Sequence, residues 1–360
     1  MIPYHVLIIT AIISAILTFP TIRLAKKYNL VTDKQKRKHP AHTHTGIIPR
    51  GGGIPIYLSI LIAVLLFIPL NQIVISILVS SFLLVVLGTL DDYYDISPYV
   101  RFGANLLISA IVVSSGLGIP YISNPMGGVI HLDQWRIPFT FFGHHTILVV
   151  ADVIAIIWLT WIMNMVNWSK GVDGQLPGFV AITAFFLGLI SQRFVAHDIT
   201  VQAVTLLSFI LAGAYLGFLP FNFYPQKIMP GYGGGALAGF MLGILSILSF
   251  GKVGTALLIL SMPLIDALYT IVRRIKNRHS PFRPDDGHFH HRLLDIGWGR
   301  RRIAVYYWIV SFIFGISSLY LEGIEKLVAL IATAIIVLVF ILIIEEIKKH
   351  YYSEPAPEST

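Results

Sequence analysis

Apolar residues run through this chain in long blocks, not in the alternating or 3.6-residue patterns of a domain that is half in water. Runs of about 17 to 25 residues are long enough to carry a helix across a hydrocarbon core. They fall at 5–25, 52–70, 73–90, 103–119, 147–166, 178–195, 201–219, 234–250, 253–273, 304–321 and 326–347. The pattern predicts an all-α polytopic membrane protein with about 11 transmembrane helices, ten being the alternative count. The first run has no small-residue cleavage site and is needed for the charge-defined topology, so it reads as a span and not as a removable signal peptide.

Composition supports that class. Of 360 residues, 56% are hydrophobic and 12% charged, with a mean hydropathy of +0.77, against roughly 25% charged in soluble domains. A single integral membrane domain is expected over 1–350, followed by a short, polar, disordered tail over 351–360. Cysteine is absent, which excludes disulfides, thiolate catalysis and a Cys-based metal site.

The net charge of +8 would suit nucleic acid, but its distribution argues against that partner. With eleven spans, the loops on one side hold all but four of the 26 Lys and Arg; only Arg136, Arg193, Lys252 and Lys326 fall on the other. The positive-inside rule then puts the rich side in the cytoplasm, the N-terminus outside and the C-terminus inside. The rich loops also carry nearly all the side chains capable of chemistry.

Among them the sharpest feature is Asp91-Asp92-Tyr93-Tyr94-Asp95, where three of only 18 acidic residues crowd together at the end of an apolar run. Like charges so close persist where a metal ion or a positive substrate group neutralises them. In a continuous helix Asp91 and Asp95, at i and i+4, share a face. A solvated helix end is the bland alternative, but acids at a helix C-terminus oppose its dipole.

Other loops offer partners for phosphate. Arg50 is framed by Pro49 and Gly51-Gly52-Gly53, where backbone can approach a ligand closely. Lys34 to Lys38 reads equally as an anchor to the inner leaflet. Asn164 and Asn167, one turn apart, place two amides on one side, and the Gly171-Val172-Asp173-Gly174 turn aims a carboxylate at the same place; a capping turn is the alternative. The segment His288-Phe289-His290-His291 suits phosphate contacts, a solvated loop or a zinc site, although zinc favours better-defined ligand spacing. Asp266 reads as an ion-pair partner of Arg273 or Arg274. A transporter would place ionisable residues mid-membrane at broken helices, and here the spans are nearly free of charge away from their ends.

Taken in order, Pro49-Arg50-x-Gly52-Gly53, Asp91-Asp92-x-x-Asp95-Ile96-Ser97-Pro98, Asn164-x-x-Asn167 with Gly171-x-Asp173-Gly174, Phe221-Asn222-x-x-Pro225, Pro263-x-x-Asp266 and His288-x-His290-His291 resemble the polyprenyl-phosphate N-acetylhexosamine-1-phosphate transferase family. The Ser280-Pro281-Phe282 lead-in looks like its undecaprenyl-diphosphate N-acetylglucosamine branch and not the phospho-MurNAc-pentapeptide branch. The resemblance implies transfer of a sugar-1-phosphate from a UDP-amino sugar to a membrane polyprenyl phosphate, with magnesium, or manganese, as cofactor. It implies catalytic Asp91 and Asp92 and metal ligands drawn from Asp91, Asp92, Asp95 and Asp173. The implied substrate-binding residues are Lys38, Arg50, Asn164, Asn167, Lys170, Asp173, Asn222, His288, His290 and His291. The implied partners are the lipid, the nucleotide sugar and the membrane; a homodimer is left open.

Two positions depart from the family's pattern. Lys170 stands where its asparagine motif continues with an aspartate, and Tyr232, within Gly231-Tyr232-Gly233-Gly234-Gly235, stands where a magnesium-binding aspartate is expected. The loop-one Arg-Lys-x-His motif is also irregular, being either Arg37-Lys38-His39 or the His42 and His44 stretch. The expectation is that Lys170 supplies by fixed charge part of the neutralisation that metal gives elsewhere. A family member that binds lipid or nucleotide sugar without turnover is the non-enzymatic alternative.

Overall fold

A computed structural model describes residues 2–33, 46–124, 126–140, 144–195, 201–249, 253–281 and 287–352. Lys38, the basic run 34–38, His39, His42 and His44 lie outside the described residues, as does the tail from 353.

Each apolar run meets a helix. In chain order these are α1 (Tyr4–Lys27), α2 (Gly53–Phe67), α3 (Gln72–Tyr94), α4 (Pro98–Ser114), α5 (Val149–Trp168), α6 (Gln175–Gln192), α7 (Val201–Asn222) and α8 (Gly231–Leu248). There follow α9 (Val253–Ile259), α10 (Ser261–Lys276), the short α11 (Phe289–Asp295), α12 (Arg300–Tyr320) and α13 (Gly323–Tyr352). Among the described residues, eight helices are long and apolar enough to cross a membrane. The protein is therefore a multi-pass membrane protein. Helices α2 and α4 are shorter, and the ninth apolar run is broken: α9 and α10 meet at 83°.

The chain is not wholly helical. Three antiparallel ribbons interrupt it: β1 (Val31–Asp33) with β2 (Ile47–Pro49), β3 (Tyr121–Ser123) with β4 (Val129–His131), and β5 (Arg136–Thr140) with β6 (His144–Leu148). The last two fill the stretch between α4 and α5, which the apolar runs leave as a loop, and depart from an all-α fold. Gly127 and Gly128 both take positive φ, and the Asn124 and Gly128 backbones close the turn.

Helices α3 and α8 do most to position the polar end of the bundle. Helix α8 is buried along nearly its whole length and packs on α3 and α5. Its approach to α3 is backbone against backbone, since a Cβ on Gly88 would overlap the Gly233 main chain. Glycine at position 88 lets the end of α3 reach the start of α8. That contact sets Asp91 and Asp92 beside Gly231 and Tyr232.

Candidate active site

Five loops that are far apart in sequence are knitted together at one end of the bundle. Gly52 N–H donates to the Met229 carbonyl, Gly174 N–H to Asn222 Oδ1, and Tyr99 hydroxyl lies 3.1 Å from Ser280 Oγ. A Cβ on Gly171 would overlap His290 Nε2, so the imidazole rests directly on that turn.

Asp91 and Asp92 close α3 and are both buried. Asp92 accepts from the backbone N–H of Gly51 and of Tyr232, each at 3.2 Å, and lies 3.5 Å from Arg50 Nη1. Asp91 Oδ2 accepts from Arg101 Nη1 at 3.1 Å. Lys170 Nζ donates to Asn167 Oδ1 at 2.7 Å and to the Gly231 carbonyl at 2.8 Å, close enough for its charge to bear on both carboxylates. Burial holds this ammonium down to about 8, while Asp92 and Asp91 pull the other way. Tyr232 stands between cations: its ring faces the Arg101 guanidinium at 5.1 Å and Lys170 Nζ at 5.8 Å, and its hydroxyl donates to Asn105 Oδ1. Two carboxylates thus meet three cations brought from three separate segments.

Asp95 does not join them. The helix ends at Tyr94, and Asp95 caps it in the left-handed region with φ 55°, exposed to the surroundings. The shared face expected of Asp91 and Asp95 required helical backbone at Asp95, one residue beyond the end of α3. Asp173 belongs to a neighbouring group: Arg300 Nη1 lies 3.7 Å away, and burial raises its carboxyl despite that cation. The Arg300 and Arg301 guanidinium groups both face the Tyr224 ring.

The amides are committed differently from the sequence expectation. Asn164 Nδ2 turns back onto the Thr160 carbonyl of its own helix, whereas Asn167 orients Lys170. Asn222 holds the Gly174 N–H with its oxygen and gives its NH2 group to Ile228 O and Gln226 Oε1, so it acts as a loop fastener.

In the histidine segment, Asp266 accepts from Phe289 N–H at 2.8 Å and lies 3.1 Å from His288 Nδ1. The ion pair expected of Asp266 with Arg273 or Arg274 is replaced by this contact. His288 and His290 stack with ring centres 5.6 Å apart, and burial, with His291 and His288 beside it, holds the His290 imidazole well below its ordinary value. Arg101, Asn105 and Arg300 were missed as site residues. Arg101 carried a signal, being the only Lys or Arg between Arg50 and Arg136.

Among the described residues no three His, Asp or Glu side chains form a group that could hold a metal, so the four-carboxylate set is not assembled. Magnesium, however, commonly takes one or two carboxylates and completes its shell with water and substrate phosphates. Asp91 Oδ1 is buried without a hydrogen-bond partner among the described residues and fits that smaller role.

This geometry defines a class: a multi-pass membrane protein whose loops converge on buried carboxylates neutralised by arginine and lysine, an arrangement suited to phosphate esters. The chain matches the model of glycosyl transferase family 4 over residues 74–250. It is 30% identical over 355 residues, 96% of this chain and 92% of the relative, to the Bacillus subtilis protein named "Probable undecaprenyl-phosphate N-acetylglucosaminyl 1-phosphate transferase". It is 29% identical over 388 residues, 97% and 90% of the two chains, to the decaprenyl-phosphate N-acetylglucosaminephosphotransferase of Mycolicibacterium smegmatis. A phospho-N-acetylmuramoyl-pentapeptide-transferase of Orientia tsutsugamushi is 28% identical over 88% of this chain and 95% of its own. The chain belongs to glycosyl transferase family 4.

Proposed function

We propose that this chain transfers N-acetylglucosamine-1-phosphate from a UDP-sugar to a membrane polyprenyl phosphate. An oxygen of the lipid phosphate attacks the β-phosphorus, the bond from that phosphorus to the oxygen bridging to the α-phosphate breaks, and UMP leaves. The product is a polyprenyl diphosphate sugar, an intermediate for surface polymers such as teichoic acid or lipopolysaccharide.

The observation that carries this reading is the meeting of Asp91 and Asp92 with Arg50, Arg101 and Lys170. Several phosphate groups come together in the reaction, and such chemistry depends on positioning and charge stabilisation more than on covalent catalysis. Arg50, Arg101 and Lys170 hold the phosphates at fixed distances. Asp92, locked by two backbone donors, orients Arg50; Asp91 Oδ1 would hold magnesium, which when bound would offset charge on the diphosphate. Asn167 steadies Lys170. Asp173, His288, His290 and His291 line the adjoining side of the loops, where the nucleotide diphosphate lies.

Eleven spans, counting α2, α4 and the bent α9–α10 pair, put the N-terminus outside and the site at the cytoplasmic surface of the cell membrane, in keeping with the charge asymmetry of the loops. UDP-sugars are then met from the cytoplasm, and the lipid from the bilayer.

The test is release of UMP by the purified chain. Release requiring UDP-N-acetylglucosamine, undecaprenyl phosphate and magnesium together is expected; no release with any UDP-sugar would leave a binding protein without turnover. The mass of the lipid product separates N-acetylglucosamine transfer from phospho-MurNAc-pentapeptide transfer.

A further inference from the structure

The histidine segment lies beyond the part of the chain that the family model covers, and the helix that carries His290 and His291, α11, has only seven residues. So short a helix does not hold its own geometry in isolation. Its anchors therefore decide where the imidazoles stand. One is Asp266, which grips the entry to α11 at His288 and Phe289.

The second comes from the last helix. Glu345 Oε1, near the end of α13, accepts from Arg292 Nη1 at 2.6 Å and from the Tyr269 hydroxyl at 2.9 Å. Arg292, whose side chain is only 8% exposed, donates from Nε to the Gly287 carbonyl at 3.1 Å, and its guanidinium faces the Tyr269 ring at 5.2 Å. Arg292 thus spans from α13 to the residue just before His288. Asp266 and Glu345 hold α11 from two different helices, with the histidines between them.

We propose that Glu345 is a positioning residue for the histidine segment, acting through Arg292 to set His288, His290 and His291 for the phosphates of the nucleotide sugar. The proposal rests on the sugar-phosphate transfer reaction for the identity of the substrate, but not for the clamp itself. A buried guanidinium deprived of its carboxylate is costly where it stands. It would pull away from Gly287 toward water and release the segment it ties.

The experiment compares the full-length wild type with Glu345→Gln, Glu345→Ala and, as a milder variant that leaves the ion pair intact, Tyr269→Phe. Diethyl pyrocarbonate modification of the peptide holding His288 to His291 is followed by mass spectrometry, and KM and kcat are measured with UDP-N-acetylglucosamine. Modification in the Glu345 variants is expected to quicken several-fold, with Tyr269→Phe intermediate. KM should rise about tenfold, the effect of losing one charge-assisted hydrogen bond, with kcat changed much less. A purely structural role would lower the yield of folded protein and leave KM of the folded fraction unchanged. Unchanged modification in both Glu345 variants would overturn the clamp, and faster modification with unchanged KM would overturn the positioning role. Should the wild type show no sugar-phosphate transfer, the functional reading fails, while the modification contrast still decides whether Glu345 fixes the segment.

Discussion

Gly231 packs so tightly against Asp92 that a Cβ on the glycine would overlap the Oδ2 carboxylate oxygen. The first residue of α8 is therefore pressed against the second carboxylate of α3, and it takes φ 69° to do so. Its carbonyl accepts from Lys170, and the next N–H donates to Asp92. One glycine thereby joins the carboxylate to the ammonium. Gly231→Ala is expected to cost about 1–2 kcal/mol for the left-handed backbone alone and to displace Asp92. Thermal unfolding and turnover measured together check this; wild-type values for both would contradict it.

Asp91 and Asp92 are expected to fail in different ways. Asp91→Asn removes the carboxylate with the unpartnered buried oxygen, so half-maximal activity should require markedly more magnesium. Asp92→Asn weakens the lock on Arg50 and on the two backbone donors, and kcat should fall by about 10²-fold or more, as when a fixed charge stabiliser is lost elsewhere, at little-changed magnesium demand. Magnesium titrations of the two variants separate these roles.

Lys170 gives the site a pH dependence. Its ammonium, held down to about 8 by burial from an ordinary value of 10.5, is charged below that pH and neutral above it. The kcat/KM profile, which reports the free enzyme, should decline as pH rises through about 8, and Lys170→Met should show low activity without that limb. Stability moves the other way. The unfolded chain keeps this proton up to 10.5, so the cost of burying the charge is full below about 8 and is relieved between about 8 and 10.5. Unfolding midpoints across that window test the sign.

The Gly171 and His290 contact predicts a local effect. Gly171→Ala would drive a methyl into the imidazole, displacing His290 and disturbing the adjacent Lys170 turn. Weaker nucleotide-sugar binding with intact expression is the expected outcome, read as a raised KM.

Much of this molecule was legible in its sequence because long apolar runs admit little besides helices in a bilayer. The pairing of Asp92 with Arg50 was within reach, as both sit at run ends on the basic side. The exclusion of Asp95 was not, because it depends on where α3 stops, and helix ends are set by capping and packing. Asp266 was misassigned since the nearest cations in sequence, Arg273 and Arg274, share its helix, while its partners His288 and Phe289 come from the chain beyond α10. Glu345 could not be found from spacing at all. It meets Arg292 across 53 positions, a relation that exists only in the folded chain.

Sugar-phosphate transfer breaks the bond on the nucleotide side of the β-phosphorus, and UDP-N-acetylglucosamine labelled in the β-phosphate reports that cleavage. Incubated with the purified chain, magnesium and undecaprenyl phosphate, the label should move into the lipid in equal amount to the UMP released. Label remaining with the nucleotide as UDP, with unlabelled sugar on the lipid, would contradict sugar-phosphate transfer.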